Sequence, residues 1–268
     1  MLDKDGLLAG VYVVGPLAVL SGLVLSVVSL RTWSRNVRET ACAWRIDYSP
    51  ASRAFGPIWS LIYAGTVAVV VAQVTNQVVV FDWWVNFLWA LAWMFCALWV
   101  PFFDAQHIGA LRAAMVQILA AAACATAATG LSRMWLVGEG APPERRVEQV
   151  ALGWPLSIFA GWLVAASAIN VGIVAKASDP TLKPTCVREA SRGYEGAYAD
   201  MPVRVSIVPV LLACGVGGVT VWIRDPLYAV PLMWAIVNLP AFPCWEYFVA
   251  LLLCAGGSAG AVVRVIYA

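Results

Sequence analysis

Residues 83–103 read WWVNFLWALAWMFCALWVPFF, twenty-one residues without a charge, bounded by Asp82 and Asp104. At about 1.5 Å of rise per residue, a helix of this length is about 30 Å long, the thickness of a bilayer's hydrocarbon core. Seven further apolar segments flank it, over residues 8–30, 57–80, 108–131, 151–175, 203–223, 227–242 and 244–267. The seventh of the eight is short and carries Pro231 and Pro240, so it reads as a tilted, kinked or half-buried crossing. The expected fold class is all-α, a polytopic membrane helix bundle of eight crossings, with seven as the main alternative.

Composition agrees. Of the 268 residues, 62% are hydrophobic and 12% charged, against about 45–50% and about 25% in soluble domains. That little charge cannot give a chain of this size a water-facing surface. The predicted location is therefore an unspecified membrane, crossed several times. Net charge is +2 and falls mostly between the apolar runs, which argues against nucleic-acid binding. Eleven Lys and Arg follow odd-numbered segments and six lie on the opposite side. This bias favours both termini on the non-cytoplasmic or equivalent face. The N-terminal MLDKDG is acidic, so neither a secretory signal nor an Arg-rich transit peptide is expected.

The search for reactive groups returns little. Five of seven cysteines (Cys96, Cys124, Cys214, Cys244, Cys254) lie in apolar runs, where a thiol behaves as a small hydrophobe. Cys42 and Cys186 lie in polar stretches and would pair only in an oxidising compartment. With one histidine, His107, neither a serine triad nor a multi-ligand metal site is supported. Asp82, Asp104 and Glu246 fall at segment ends, where charges reach the interface. An enzyme is not expected. The polar stretch 31–56 holds Arg31, Arg35, Arg38, Arg45 and Arg53, and residues 132–150 contain GEGAPPERR, a turn followed by charge.

Three segments repeat Trp, Asn and Tyr at helical spacing. In AFGPIWSLIY (54–63), Trp59 and Tyr63 are four apart, and Pro57 is expected in the first turn, where missing N–H groups are tolerated. In NFLWALAW (86–93), Asn86, Trp89 and Trp93 follow at three and four. In GWLVAASAIN (161–170), Trp162, Ala166 and Asn170 recur every four, beside Gly161, Ala165, Ala168 and Gly172. A buried Asn must find a partner, so both amides should face the bundle interior. Two readings stay open: an aromatic-walled pocket for a flat, greasy molecule, or interhelical packing with amides as glue.

These motifs resemble the TspO/MBR family of tryptophan-rich sensory and translocator proteins. F-G-P-x-W-x-L-x-Y is matched by Phe55, Gly56, Pro57, Trp59, Leu61 and Tyr63, N-x-x-W by Asn86 and Trp89, and W-x(7)-N by Trp162 and Asn170. The remaining third is similar to a longer, eight-helix branch, through Ser49, Pro50, Ala51, Ala54 and Phe55 and later Tyr228, Trp234 and Ala235. The paired prolines with an adjacent Trp that many short members carry in the first loop are missing, as is a sterol-recognition stretch.

The resemblance implies a TspO-like five-helix core over residues 1–176, a polar connector over 177–202 and a membrane extension of about three transmembrane helices over 203–268. It implies a ligand site of Trp59, Tyr63, Asn86, Trp89, Trp162, Ala166 and Asn170, taking porphyrin, haem, sterol or lipid, with no cofactor required. Implied partners are membrane lipids and a lipophilic small molecule, with a homodimer or a larger membrane complex as the assembly. The first-loop arginines would meet porphyrin propionates or, alternatively, anionic lipid. The rival function is an accessory structural subunit. A porphyrin-degrading oxidation running on Trp residues is a third.

Overall fold

The computed structural model describes residues 13–44, 52–75, 81–103, 107–136, 153–179, 207–238 and 245–267. Eight α-helices with defined bounds follow one another, and no strand occurs among the described residues. They are α1 Gly15–Ala43, α2 Ser52–Val74, α3 Trp83–Phe102, α4 Ile108–Leu136, α5 Trp154–Ala177, α6 Ile207–Trp222, α7 Val230–Val237 and α8 Trp245–Tyr267. Within α1 to α5, stretches of 20 to 26 residues are long and apolar enough to cross a membrane. Their exposed apolar side chains, including Leu25, Val28, Val71 and Val116, are costly in water and at home in lipid. The protein is a multi-pass integral membrane protein built as a helix bundle.

The bundle is held along a few seams. α3 lies between α1 and α4, and α4 packs in turn on α5. Ala121, Ala125 and Ala128, on the small-residue stretch of α4, are fully buried and let backbones come close. α2 is different: its backbone makes almost no close approach to α3 and only a light one to α1 and α5. The space between is spanned by large side chains.

Four sequence expectations are refined. The stretch from Arg31 to Ala43 is helical, not loop, because α1 bends at Trp33 (φ −111°, ψ 15°) and continues. Thr40 Oγ1 donates to the Phe103 carbonyl at 3.0 Å, and Ala43 and Trp44 join a second apolar cluster with Phe103, Leu111 and Ile169. Pro57 lies inside α2, which starts at Ser52, so it stands in the second turn and deprives a carbonyl of its donor. Asp82 caps α3, accepting from the Trp83 amide at 2.6 Å. Segment seven forms the eight-residue α7, with Pro231 in its first turn. At about 12 Å, it does not span a bilayer by itself.

Gly217 of α6 lies against Leu253 and Gly257 of α8, and Val221 lies against Gly260 and Arg264. α6 and α8 therefore run parallel to each other. The connector beyond residue 179, Cys186, Asp104, Pro240, Cys244 and GEGAPPERR lie outside the described residues, as do the side chains of Cys42 and Glu246.

Candidate ligand site

The helical period of four in α2 directs Trp59 and Tyr63 inward together, and their rings stack at 5.5 Å and 25°. Tyr63 stacks in turn on Trp93 of α3 at 5.4 Å and 23°, and Trp93 lies face to face with Phe159 of α5 at 4.2 Å and 14°. Trp162 meets Trp59 edge-on at 6.4 Å and 85°, with Phe55 against its other side at 5.4 Å and 80°. Side chains of α2, α3 and α5 thus converge on one aromatic nest. Trp93 and Trp162 are fully buried, whereas Trp59 and Tyr63 are half-buried. Aromatic pairs of this kind add about 0.5–1.5 kcal/mol each beyond the area they bury.

The other expected site residues separate along the lengths of α3 and α5. Asn86 sits toward the α3 N-terminus, about 10 Å along the axis from Trp93. Its Nδ2 donates to the Phe81 carbonyl at 2.9 Å and to Gln73 Oε1 at 3.4 Å, and Gln73 Oε1 also accepts from the Phe81 amide at 3.2 Å. Trp89 belongs to this station, edge-on to Phe81 at 5.8 Å. At the opposite end Asn170 Oδ1 accepts from Trp99 Nε1 at 2.9 Å, while its Nδ2 donates to the Ala166 carbonyl at 2.8 Å. Ala166 is half-buried. Both asparagines face the interior, each held by partners of its own rather than in one pocket with the tryptophans.

Trp93 and Phe159 stand where the sequence reading placed Trp89. Trp89 and Trp93 are one turn apart on the same face, and nothing in their spacing ranks them. Gln73 and Trp99 carried no motif, yet they are the hydrogen-bond partners of the two asparagines.

Several buried polar atoms in and beside the nest have no hydrogen-bond partner among the described residues: the indole N–H groups of Trp89, Trp93 and Trp162, Asn86 Oδ1, Gln73 Nε2 and Thr66 Oγ1. Leaving such a group unsatisfied costs about 1–3 kcal/mol. The nest accordingly offers flat apolar faces together with donors that lack an acceptor. No group of three or more His, Cys, Asp or Glu able to hold a metal occurs among the described residues.

Residues 16–182 match the family described as TSPO-like protein. The chain belongs to that family. The match covers α1 to α5, so the aromatic nest lies wholly within the TSPO-like core, and α6 to α8 lie beyond it. Comparison with curated proteins and with solved structures returns no significant match.

One further site was missed in the sequence. Arg133 of α4 donates through Nε and Nη2 to Asp225 Oδ2 at 2.9 and 2.8 Å, and both side chains are buried. Ser157 of α5 donates to the same oxygen, and Asp225 Oδ1 accepts from the Leu227 amide at 3.0 Å. Gly153 leaves the room that the guanidinium fills. This cluster fastens the chain that leaves α6 onto the TSPO-like core. Close by, Tyr228 Oη lies 2.8 Å from Thr126 Oγ1, and the Tyr228 carbonyl presses on Gly161.

Proposed function

We propose that this protein binds planar lipophilic molecules within its TSPO-like core, tetrapyrroles such as porphyrins first among them, as a membrane sensor or carrier. The reading rests on the nest of Trp59, Tyr63, Trp93, Phe159 and Trp162, whose buried indole donors on Trp93 and Trp162 lack acceptors. A macrocycle would supply broad faces for stacking and edge atoms that accept from N–H groups. Because α2 stands off from α3 and its two rings are half-buried, Trp59 and Tyr63 are the side chains whose rotation would admit a guest from the lipid side. No acid–base pair or metal set enters the proposal, which is for binding and not for catalysis.

The test is quenching of intrinsic fluorescence by protoporphyrin IX in the purified, folded protein. Saturable quenching is expected for wild type, with affinity lowered at least about tenfold in Trp59→Ala plus Trp162→Ala, the loss of about 1.4 kcal/mol. Unchanged affinity in a folded double mutant would remove these residues from the site.

One observation favours a second reading, an accessory subunit of a larger membrane assembly. The rings already satisfy one another, Trp93 on Phe159 at 4.2 Å, as a purely structural core would. Extraction in mild detergent followed by a native gel separates the readings, since migration solely as a small homo-oligomer rejects the subunit.

A further inference from the structure

Seven buried polar side-chain atoms have no hydrogen-bond partner among the described residues, and five of them belong to α2 and α3. On α2 they are Thr66 Oγ1 and Gln73 Nε2; on α3 they are Asn86 Oδ1, Trp89 Nε1 and Trp93 Nε1. The inner faces of these two helices are joined in two places. Gln73 and Asn86 bond at 3.4 Å, and Tyr63 stacks on Trp93 at 5.4 Å. The order of those pairs makes the helices antiparallel. Thr66, one turn from Tyr63, and Trp89, one turn from Trp93, therefore stand in the seam between the two joints. The backbones hardly approach each other there, so side chains alone bridge the seam.

The identity of the unpartnered atoms is fixed by backbone. Gln73 Oε1 accepts from the Phe81 amide at 3.2 Å, and Asn86 Nδ2 donates to the Phe81 carbonyl at 2.9 Å. An amide so read by an N–H or a C=O has no freedom to flip, which leaves a donor over on Gln73 and an acceptor on Asn86. Thr66 also departs from its kind. Thr32, Thr75, Thr129 and Thr220 each turn the hydroxyl back onto the carbonyl four residues earlier, whereas the Thr66 hydroxyl bonds to nothing described. Such back-bonding is the usual recourse of a helical Thr. Val in place of Thr66, or Phe in place of Trp89, would spare the fold an unmade bond at nearly the same shape. Polar groups that cost stability without structural return mark function. Residues 59–73 and 86–93 carry no charge, so an anionic group in the seam would lack a counter-ion.

We infer that the seam sets the specificity of the proposed ligand site, selecting a planar guest that bears an uncharged carbonyl arm, as an ester, amide or lactam. The guest's rings stack in the aromatic nest, and its carbonyl oxygen accepts from Trp89 Nε1 and Thr66 Oγ1. Trp89 lies about 6 Å along α3 from Trp93, within reach of an arm on the edge of a macrocycle. This inference rests on the binding reading above and adds what the guest must carry.

The test titrates the purified full chain with two uncharged porphyrins and follows quenching of intrinsic fluorescence. Etioporphyrin has an alkyl rim; protoporphyrin IX dimethyl ester carries two carbonyl arms. Wild type should bind the ester about tenfold more tightly, as one well-made buried hydrogen bond provides. Thr66→Val plus Trp89→Phe should bring the ester down to the etioporphyrin level and leave etioporphyrin unchanged. The same variant should melt no lower than wild type, because the groups removed bond to nothing in the fold. Saturable binding of both porphyrins with equal affinity in wild type overturns the seam and leaves the nest standing, as does a preference for the ester that survives in the variant. No saturable quenching by either porphyrin overturns the binding reading itself, and the seam with it. Should the double variant fail to fold, Thr66→Val decides alone: a several-fold loss for the ester and none for etioporphyrin upholds the seam, and equal affinities for wild type and variant refute it.

Discussion

Arg133 and Asp225 stand 92 residues apart in the chain and share one buried ion pair, with the Ser157 hydroxyl donating to the same carboxylate oxygen. Removing one partner strands a charge buried in the protein, so Arg133→Ala or Asp225→Asn should lower stability by about 3–5 kcal/mol. Ser157→Ala should cost about 1 kcal/mol. Replacing the pair together, Arg133→Met with Asp225→Leu, should recover most of the loss, because desolvating the charges offsets much of their attraction. Denaturation in mixed detergent measures all four, and a double variant as weak as either single would contradict this account. The pair was not legible in the sequence. An arginine near the end of an apolar run reads as a loop charge whether it faces water or a neighbouring helix, and its partner lies in another segment. Trp59, Tyr63 and Trp162 were legible as converging because spacing of four puts side chains on one face. That Trp93 and not Trp89 completes their nest depends on the roll of α3 about its axis, which one helix's pattern does not set.

The element that sequence pattern misjudged most is α1. Its polar C-terminal half was expected as loop, since arginines interrupt the apolar run, yet Thr40, Ala43 and Trp44 pack on Phe103 and its neighbours and keep the helix going. Tertiary contact overrode composition there. For α7 the reading was nearer, because Pro231 and Pro240 flagged a broken crossing in advance. What could not be foreseen was the close seat of the turn before it, where the Tyr228 carbonyl lies over Gly161. Gly161→Ala should therefore destabilise by about 1–3 kcal/mol, since overpacking displaces backbone and not merely a side-chain tip. Gly256→Ala is the matched control: nothing lies within 4 Å of its added Cβ, and the gain in helix propensity should leave stability equal or higher by up to about 1 kcal/mol. Parallel thermal melts of the two variants check the contrast. Equal destabilisation would mean that the seat at Gly161 is looser than described.

At the scale of the whole molecule, an all-α bundle that crosses a membrane several times and the family could be read from hydrophobic period and three short motifs. The arrangement of the extension could not, because a parallel α6 and α8 follow from Gly217 meeting Gly257, a contact between residues forty apart in the chain. Apolar small-residue stripes advertise close packing without naming the partner. The core itself carries an optical consequence. Trp59, Tyr63, Trp93 and Phe159 are piled in a handed, immobilised array, and chromophores so arranged generate near-ultraviolet circular dichroism that disappears when side-chain packing loosens. The protein should therefore show a strong aromatic band, dominated by few of its fourteen tryptophans and weakened severely by Trp93→Ala while far-ultraviolet helicity persists. A guest that slides between those rings would rewrite the band without any label attached.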